Sequence, residues 1–269
     1  MGRQHRAQPA VRSMIGRWAG AGVLAGLICG LVLFAPAAWL AEALAAATAN
    51  QLQLQDARGS LWHASARLVL TGGEGSHDAL ALPGRVQWQL QPDWKGLRLQ
   101  LRADCCTKEP IALALEPAWR GFRLRIADGQ SQWPAALLAG LGAPWNTVQP
   151  EGHLMLAFNG VSLESAEGRI RMVGSARVDA VAIATRLSTL RPIGSYRLEV
   201  RAAAPAGALT LQLQTLEGSL QLSGTGQWSG ARWTFRGEAS ASPGTEAALG
   251  NLLNMVGRRQ AAKSIISLG

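Results

Sequence analysis

Lysine is scarce in this chain of 269 residues, occurring only as Lys95, Lys108 and Lys263. The net charge of +9 is carried by arginine, and no Lys/Arg run of the kind that tracks a phosphate backbone is present. The charge therefore argues only weakly for nucleic acid. Part of the excess is local, because Arg3, Arg6, Arg12 and Arg17 all precede the first acidic residue, Glu42. Charged residues make up 16% of the chain and hydrophobic ones 48%, a balance that excludes a disordered polymer. Histidine is sparse as well: His5, His63, His77 and His153 stand far apart, without metal-ligand spacing to one another or to a carboxylate. There is no G-x-S-x-G, no Walker glycine loop and no G-x-G-x-x-G between a strand and a helix. These absences leave no residue to name as catalytic, cofactor-binding or metal-ligating, and the reading is of a protein that is not an enzyme.

What is present begins with an apolar run. "WAGAGVLAGLICGLVLFAPAAWLA", residues 18–41, has Cys29 as its one ionisable group. A helix rising about 1.5 Å per residue crosses a hydrocarbon core of about 30 Å within that length. The expectation is a transmembrane helix over 18–41, with a cytoplasmic N-terminus at 1–17 and a linker at 42–51. Trp18 and Trp39 would sit at headgroup level, and Pro36 lies close enough to the far end to be tolerated. Arginines before the span and none directly after it place the N-terminus in the cytoplasm and the rest of the chain across the membrane. A cleaved signal peptide competes, since "AEALAAATA" offers small residues, but the apolar run exceeds the usual ~7–15 residues of such a segment.

From Leu52 onward the hydrophobic period is two. Val86, Trp88 and Leu90 alternate with glutamines, and Leu97, Leu99 and Leu101 alternate with Arg98, Gln100 and Arg102. The same pattern returns through "GFRLRI", "HLMLAF", "SYRLEV" and "ALTLQLQ", so residues 52–269 read as a mainly β domain of short antiparallel strands. A repeat is visible within it. "VQWQLQPDWKGLRLQL", residues 86–101, aligns without a gap to "IALALEPAWRGFRLRI", residues 111–126. Each copy reads as a hairpin whose turn is opened by proline, Pro92 or Pro117, and closed by glycine, Gly96 or Gly121. One hairpin cannot bury its apolar face alone, so the repeat predicts side-by-side stacking into a long sheet or groove. Trp94 and Trp119, matched in the two turns, are candidate interaction residues; turn packing under the sheet is the plainer alternative.

"GQWSGARWTFRGEA", residues 226–239, interleaves aromatic and basic side chains. Read as a hairpin with Ser229–Gly230 as its loop, it sets Gly226 opposite Trp233 and Gly224 opposite Phe235 and keeps all the rings on one face. That accounts for the interleaving without nucleic acid. Two helical pieces interrupt the strands. "PAALLAGLG" follows Trp133, and residues 244–259 form a C-terminal helix with Thr245 as N-cap, Leu249, Leu252, Leu253 and Val256 on one face, and Arg258 and Arg259 in its last turn. Cys105 and Cys106 are adjacent in "RADCCTKEP". With Cys29 in the apolar run they have each other or another molecule to pair with, so a vicinal disulfide, free thiols and an intermolecular bond all stay open.

The order of these features resembles the type II secretion system protein N family: a basic N-terminus and single anchor, "GSLWHASARL" from Gly59, "PIGSYRLEV" from Pro192, and "GSLQLSGTGQW" leading through "FRGEASASPGTEAALGNLLNMVGRRQ" to a short apolar tail. The resemblance implies a non-enzymatic component of the general secretory pathway in the inner membrane of a Gram-negative bacterium. Its bulk would lie in the periplasm, contacting other inner-membrane secretion subunits or the outer-membrane secretin. Open strand edges suit such contacts. The rival from another functional class is an AsmA-like β-groove protein that binds lipid or moves it between membranes. The two are separated by whether the apolar face is closed by the chain's own residues or left as a trough.

Overall fold

A computed structural model describes residues 12–166, 169–203, 208–228 and 232–268. The chain opens with α1 (Arg12–Leu33) and α2 (Ala37–Ala47). The expected single helix over 18–41 is therefore divided. Pro36 lacks an amide hydrogen and biases the residue before it away from helical angles, and it occupies the extended N-cap position of α2. Helix α2 also takes most of the stretch read as a linker over 42–51. Among the described residues no helix is long and apolar enough to cross a membrane. Most of the expected cytoplasmic stretch, residues 1–11, lies outside them.

The strands then follow in quick succession: β1 (Leu52–Gly59), β2 (His63–Thr71), β3 (Ala79–Ala81), β4 (Val86–Asp93), β5 (Gly96–Ala103), β6 (Ile111–Ala118), β7 (Gly121–Ile126) and β8 (Gly129–Pro134). A 3-10 helix (Ala135–Leu141) and the single turn α3 (Trp145–Val148) follow. After them come β9 (Glu151–Ala166), β10 (Arg169–Ala184), β11 (Gly194–Ala203), β12 (Ala208–Gly218), β13 (Leu220–Trp228), β14 (Trp233–Ala241), α4 (Glu246–Val256), β15 (Arg258–Gln260) and β16 (Lys263–Leu268). All pair antiparallel in one open sheet of order β1-β2-β4-β5-β6-β7-β9-β10-β11-β12-β13-β14-β16-β15, with β3 beside β2 and β8 beside β9. The mainly β, antiparallel expectation holds.

The two matched copies are adjacent hairpins, β4–β5 and β6–β7, joined through β5 and β6. Their loops are two residues each, Trp94–Lys95 and Trp119–Arg120, since Asp93 pairs with Gly96 and Ala118 with Gly121. The prolines do not open the turns. Pro92 and Pro117 pair within the strands, opposite Leu97 and Phe122, at levels where the neighbouring strand on the other side has ended: β2 reaches only to Gln89 of β4 and β5 only to Leu115 of β6. Each proline is thus locally at an edge, where its missing N–H breaks no ladder bond.

The β13–β14 hairpin differs from expectation by two residues. Trp228 pairs with Trp233, Gly226 with Phe235 and Gly224 with Gly237, and the supposed Ser229–Gly230 loop lies outside the described residues. A slip of two preserves the faces. The Phe235 ring covers Gly224, Gly226 and Gly237, any of whose missing Cβ atoms would fall within 3.1 Å of it. The longest strands, β9 and β10, are 16 residues each and bend where the register shifts between Val173 and Ser175. Gly174 sits there at φ +88°, and a Cβ on it would fall 2.3 Å from the Gly160 carbonyl oxygen, so the bulge requires glycine.

The core lies on one face in three clusters. Near the C-terminus, α4 buries Leu249, Leu252 and Leu253 against Ile193, Tyr196, Leu220 and Ala239. In the N-terminal half, Leu82, Val86, Ala103, Cys106 and Leu137 form a second cluster, and Ala37 of α2 packs with Ala66 and Trp88 in a third. The C-terminal helix is shorter than 244–259, because Arg258 and Arg259 leave it to pair with Ile265 and Ser264 of β16. Thr245 stands at the N-cap without capping through its side chain, its hydroxyl donating instead to the Ser242 carbonyl.

Candidate functional site

The apolar face carries continuous rows of side chains that only the register assembles. Leu156 of β9 faces Val178 of β10, which faces Leu198 of β11, which faces Leu213 of β12. A neighbouring row runs from Leu154 through Ala180 to Tyr196. Helix α4 stands on one side of these rows, and the 3-10 helix with α3 stands on the other. Between them lies an open trough of 680 Å³, walled by Leu138, Trp145 and Val148 on one flank and by Leu252, Met255 and Val256 on the other. That volume is in the range of small-molecule sites, about 300–1,000 Å³. Among its lining residues none is charged, and Tyr196 brings the one hydroxyl group. The Tyr196 hydroxyl is buried with no hydrogen-bond partner among the described residues, and burial pushes the phenol well above its ordinary pKa. Alternation in the sequence shows which residues of each strand share a face. It does not show which strands stand side by side, so the trough was not legible there.

The opposite face is polar and cross-linked by ion pairs. Arg197 grips Asp179 with two parallel bonds, Nε to Oδ1 at 2.7 Å and Nη2 to Oδ2 at 2.9 Å, and this fork holds the Asp179 carboxyl below its ordinary range. Asp56, at the bulge in β1, is held down in the same way by Arg85 and Arg58.

The matched tryptophans do not pack under the sheet. Trp94 is 85% exposed and Trp119 90% exposed, and Lys95 Nζ lies 4.5 Å from the centre of the Trp94 ring. Both loops lie toward the same end of the sheet as the β1–β2 turn, because β4 runs from Val86 opposite Ala66 to Gln89 opposite His63 and on to Asp93. The junction of α1 with α2 is tied to that turn. Leu61 N–H donates to the Ala35 carbonyl at 2.7 Å, Trp62 Nε1–H donates to the Val32 carbonyl at 2.9 Å, and Pro36 bridges to Ser60.

The sulfurs of Cys105 and Cys106 lie 1.98 Å apart and their Cα atoms 3.7 Å apart, with Cys106 in the second core cluster and its carbonyl accepting from Gln132 N–H at 2.8 Å. His63 on β2, His77 in the loop before β3 and His153 on β9 are exposed and lie on separate segments, and among the described residues no group of three or more His, Cys, Asp or Glu could hold a metal ion. The model of the family described as type II secretion system (T2SS), protein N, matches residues 50–265. Comparison with curated proteins and with solved structures gave no match.

Proposed function

Because the chain belongs to the type II secretion system protein N family, we propose that it is an accessory, non-enzymatic component of that system, anchored in the inner membrane by α1, the part of the apolar run 18–41 that stands clear of the sheet. Its N-terminus is cytoplasmic and its β-rich domain, residues 52–269, periplasmic. There it contacts other inner-membrane secretion subunits or the outer-membrane secretin. The family match over 50–265 carries this reading, since it takes in all but the last few residues of the sheet. The anchor is supported by α1, on which Val23, Leu24, Leu27, Ile28, Leu31 and Val32 are each about half exposed or more. A surface of that kind needs a hydrocarbon or protein cover. Contacts through the sheet suit its open ends: among the described residues no strand pairs with the outer edge of β1, which is eight residues long, whereas β15 at the other end is three residues long and carries two arginines, which blunts it.

The trough favours a second reading, in which the same protein holds the acyl chain of a lipid. An apolar face left open between two helical flanks is what a lipid carrier requires, and it is compatible with membership of a secretion system. One experiment addresses both. The full-length protein is purified by affinity from detergent-solubilised native membranes, and co-purifying proteins and lipids are identified by mass spectrometry. Recovery of the secretin or of inner-membrane secretion subunits, with lipid at bulk-membrane proportions, supports the first reading alone. A particular lipid retained near one per protein supports the second, and its recovery without those subunits overturns the first.

A further inference from the structure

Two-residue hairpin loops ordinarily hold Asn-Gly, Asp-Gly or Gly-Gly, because the turn needs residues tolerant of positive φ. Here the loops hold Trp94–Lys95 and Trp119–Arg120, the same aromatic-basic pair twice, and Arg120 takes φ +63° without being glycine. Turn chemistry does not explain these residues, and with the indoles 85% and 90% exposed, neither does packing. Their position does bear on α1. The loops project at the end of the sheet where Ala35 and Val32 are bonded to the β1–β2 turn, and that is the end at which the apolar helix leaves. Phe34 at the junction is 84% exposed and Phe122, just past the second loop, 48% exposed.

Basic side chains are concentrated beside the two rings. Residues 93–98 and 116–125 contain five basic side chains, Lys95, Arg98, Arg120, Arg123 and Arg125, against Asp93 and Glu116. Both acids are held by arginines of their own hairpins, Asp93 by Arg98 at 2.7 Å and Glu116 by Arg125, while Arg123 pairs with Glu164 of β9 at 3.0 Å. Tryptophan prefers the headgroup layer, where its ring meets hydrocarbon and its N–H meets water, and basic side chains beside it are drawn to anionic headgroups.

We infer that this hairpin end, led by Trp94–Lys95 and Trp119–Arg120, is a membrane-contact surface that seats the sheet on anionic phospholipid beside the anchor. It rests on the anchor proposed above. The two rings dip into the interface, and Lys95, beside the first of them, meets phosphate. The sheet is thereby held close to the bilayer at a second place besides α1.

The test uses the full-length protein reconstituted in vesicles of phosphatidylethanolamine and phosphatidylglycerol whose acyl chains are brominated near the headgroup. Wild type is compared with the double variant Trp94→Phe/Trp119→Phe, in which Trp18 and Trp39 of the apolar run remain as an internal control. The expected result is that both proteins float with the vesicles after an alkaline carbonate wash and that the variant has lost a clear part of the bromine-quenched emission. Flotation with equal quenched emission in the two proteins would overturn the surface while leaving the anchor standing. Release of both proteins by the wash would overturn the anchor and the surface with it. Unchanged quenching in the vesicles, together with loss of secretion subunits when the variant is purified from native membranes, would assign the loops to a protein partner and also overturn the inference.

Discussion

Asp179 and Arg197 sit opposite each other across the β10–β11 ladder, with side chains 15% and 31% exposed. Their fork is better placed than an ordinary surface pair to contribute stability. Replacing Asp179 with Asn should cost about 1 kcal/mol in urea unfolding at neutral pH. The sign of its pH dependence follows from the depressed carboxyl. The contribution is full above the ordinary aspartate value of 3.8 and is lost as pH falls through the lower folded value. Wild type and variant should therefore converge in acid, and a gap that persists below that range would show that the ion pair is not its source. Alternation had already put Arg197 on a polar face. Their partnership could not be read, because it depends on the register between strands separated by the loop 185–193.

At the scale of elements, α4 was legible and its ends were not. Leu249, Leu252, Leu253 and Val256 form the buried stripe that their spacing predicts. The helix stops at Val256 because the chain beyond it gains ladder bonds with β16, and the buried Ser264 hydroxyl donates to the Leu253 carbonyl at 2.7 Å. Leu253 is 1% exposed and Met255 44% exposed. Leu253→Ala should destabilise by about 2–5 kcal/mol, the usual cost of emptying a core leucine site. Met255→Ala should change stability by no more than about 0.5 kcal/mol. Thermal or urea unfolding of the two variants checks the contrast. Equal losses would mean that α4 does not dock through this stripe. The hairpins show the same division: the gapless repeat predicted two adjacent copies, while the seats of Pro92 and Pro117 depended on where neighbouring strands end.

For the whole molecule, the question is what the open apolar face is for. The trough is floored by strands that span much of the C-terminal half of the chain and flanked by helices from two separate connections. Val178, with Leu156 and Leu198 on either side in the ladder, is at its floor. Val178→Trp should fill the space, so that the variant folds, co-purifies with the same secretion subunits and retains less lipid per protein in mass spectrometry. Undiminished lipid in a folded variant would remove the trough as its seat. Loss of the subunits together with the lipid would show that the trough serves the protein contacts.

What the sequence determined by itself was the class of structure: a two-residue period commits each strand to one apolar and one polar face, and a 25-residue repeat commits neighbouring segments to equivalent hairpins. It also carried the family resemblance, in the order of its motifs from Gly59 to the C-terminal third. Tertiary structure alone decided where the faces meet. Pairing between distant strands turned separate alternating segments into the rows beneath the trough, and the docking of the α1–α2 junction on the β1–β2 turn brought the exposed tryptophan loops to the helix end of the sheet. Local periodicity constrains the direction a side chain takes from its own backbone. Only the ladder and the packing of helices upon it determine what that side chain faces.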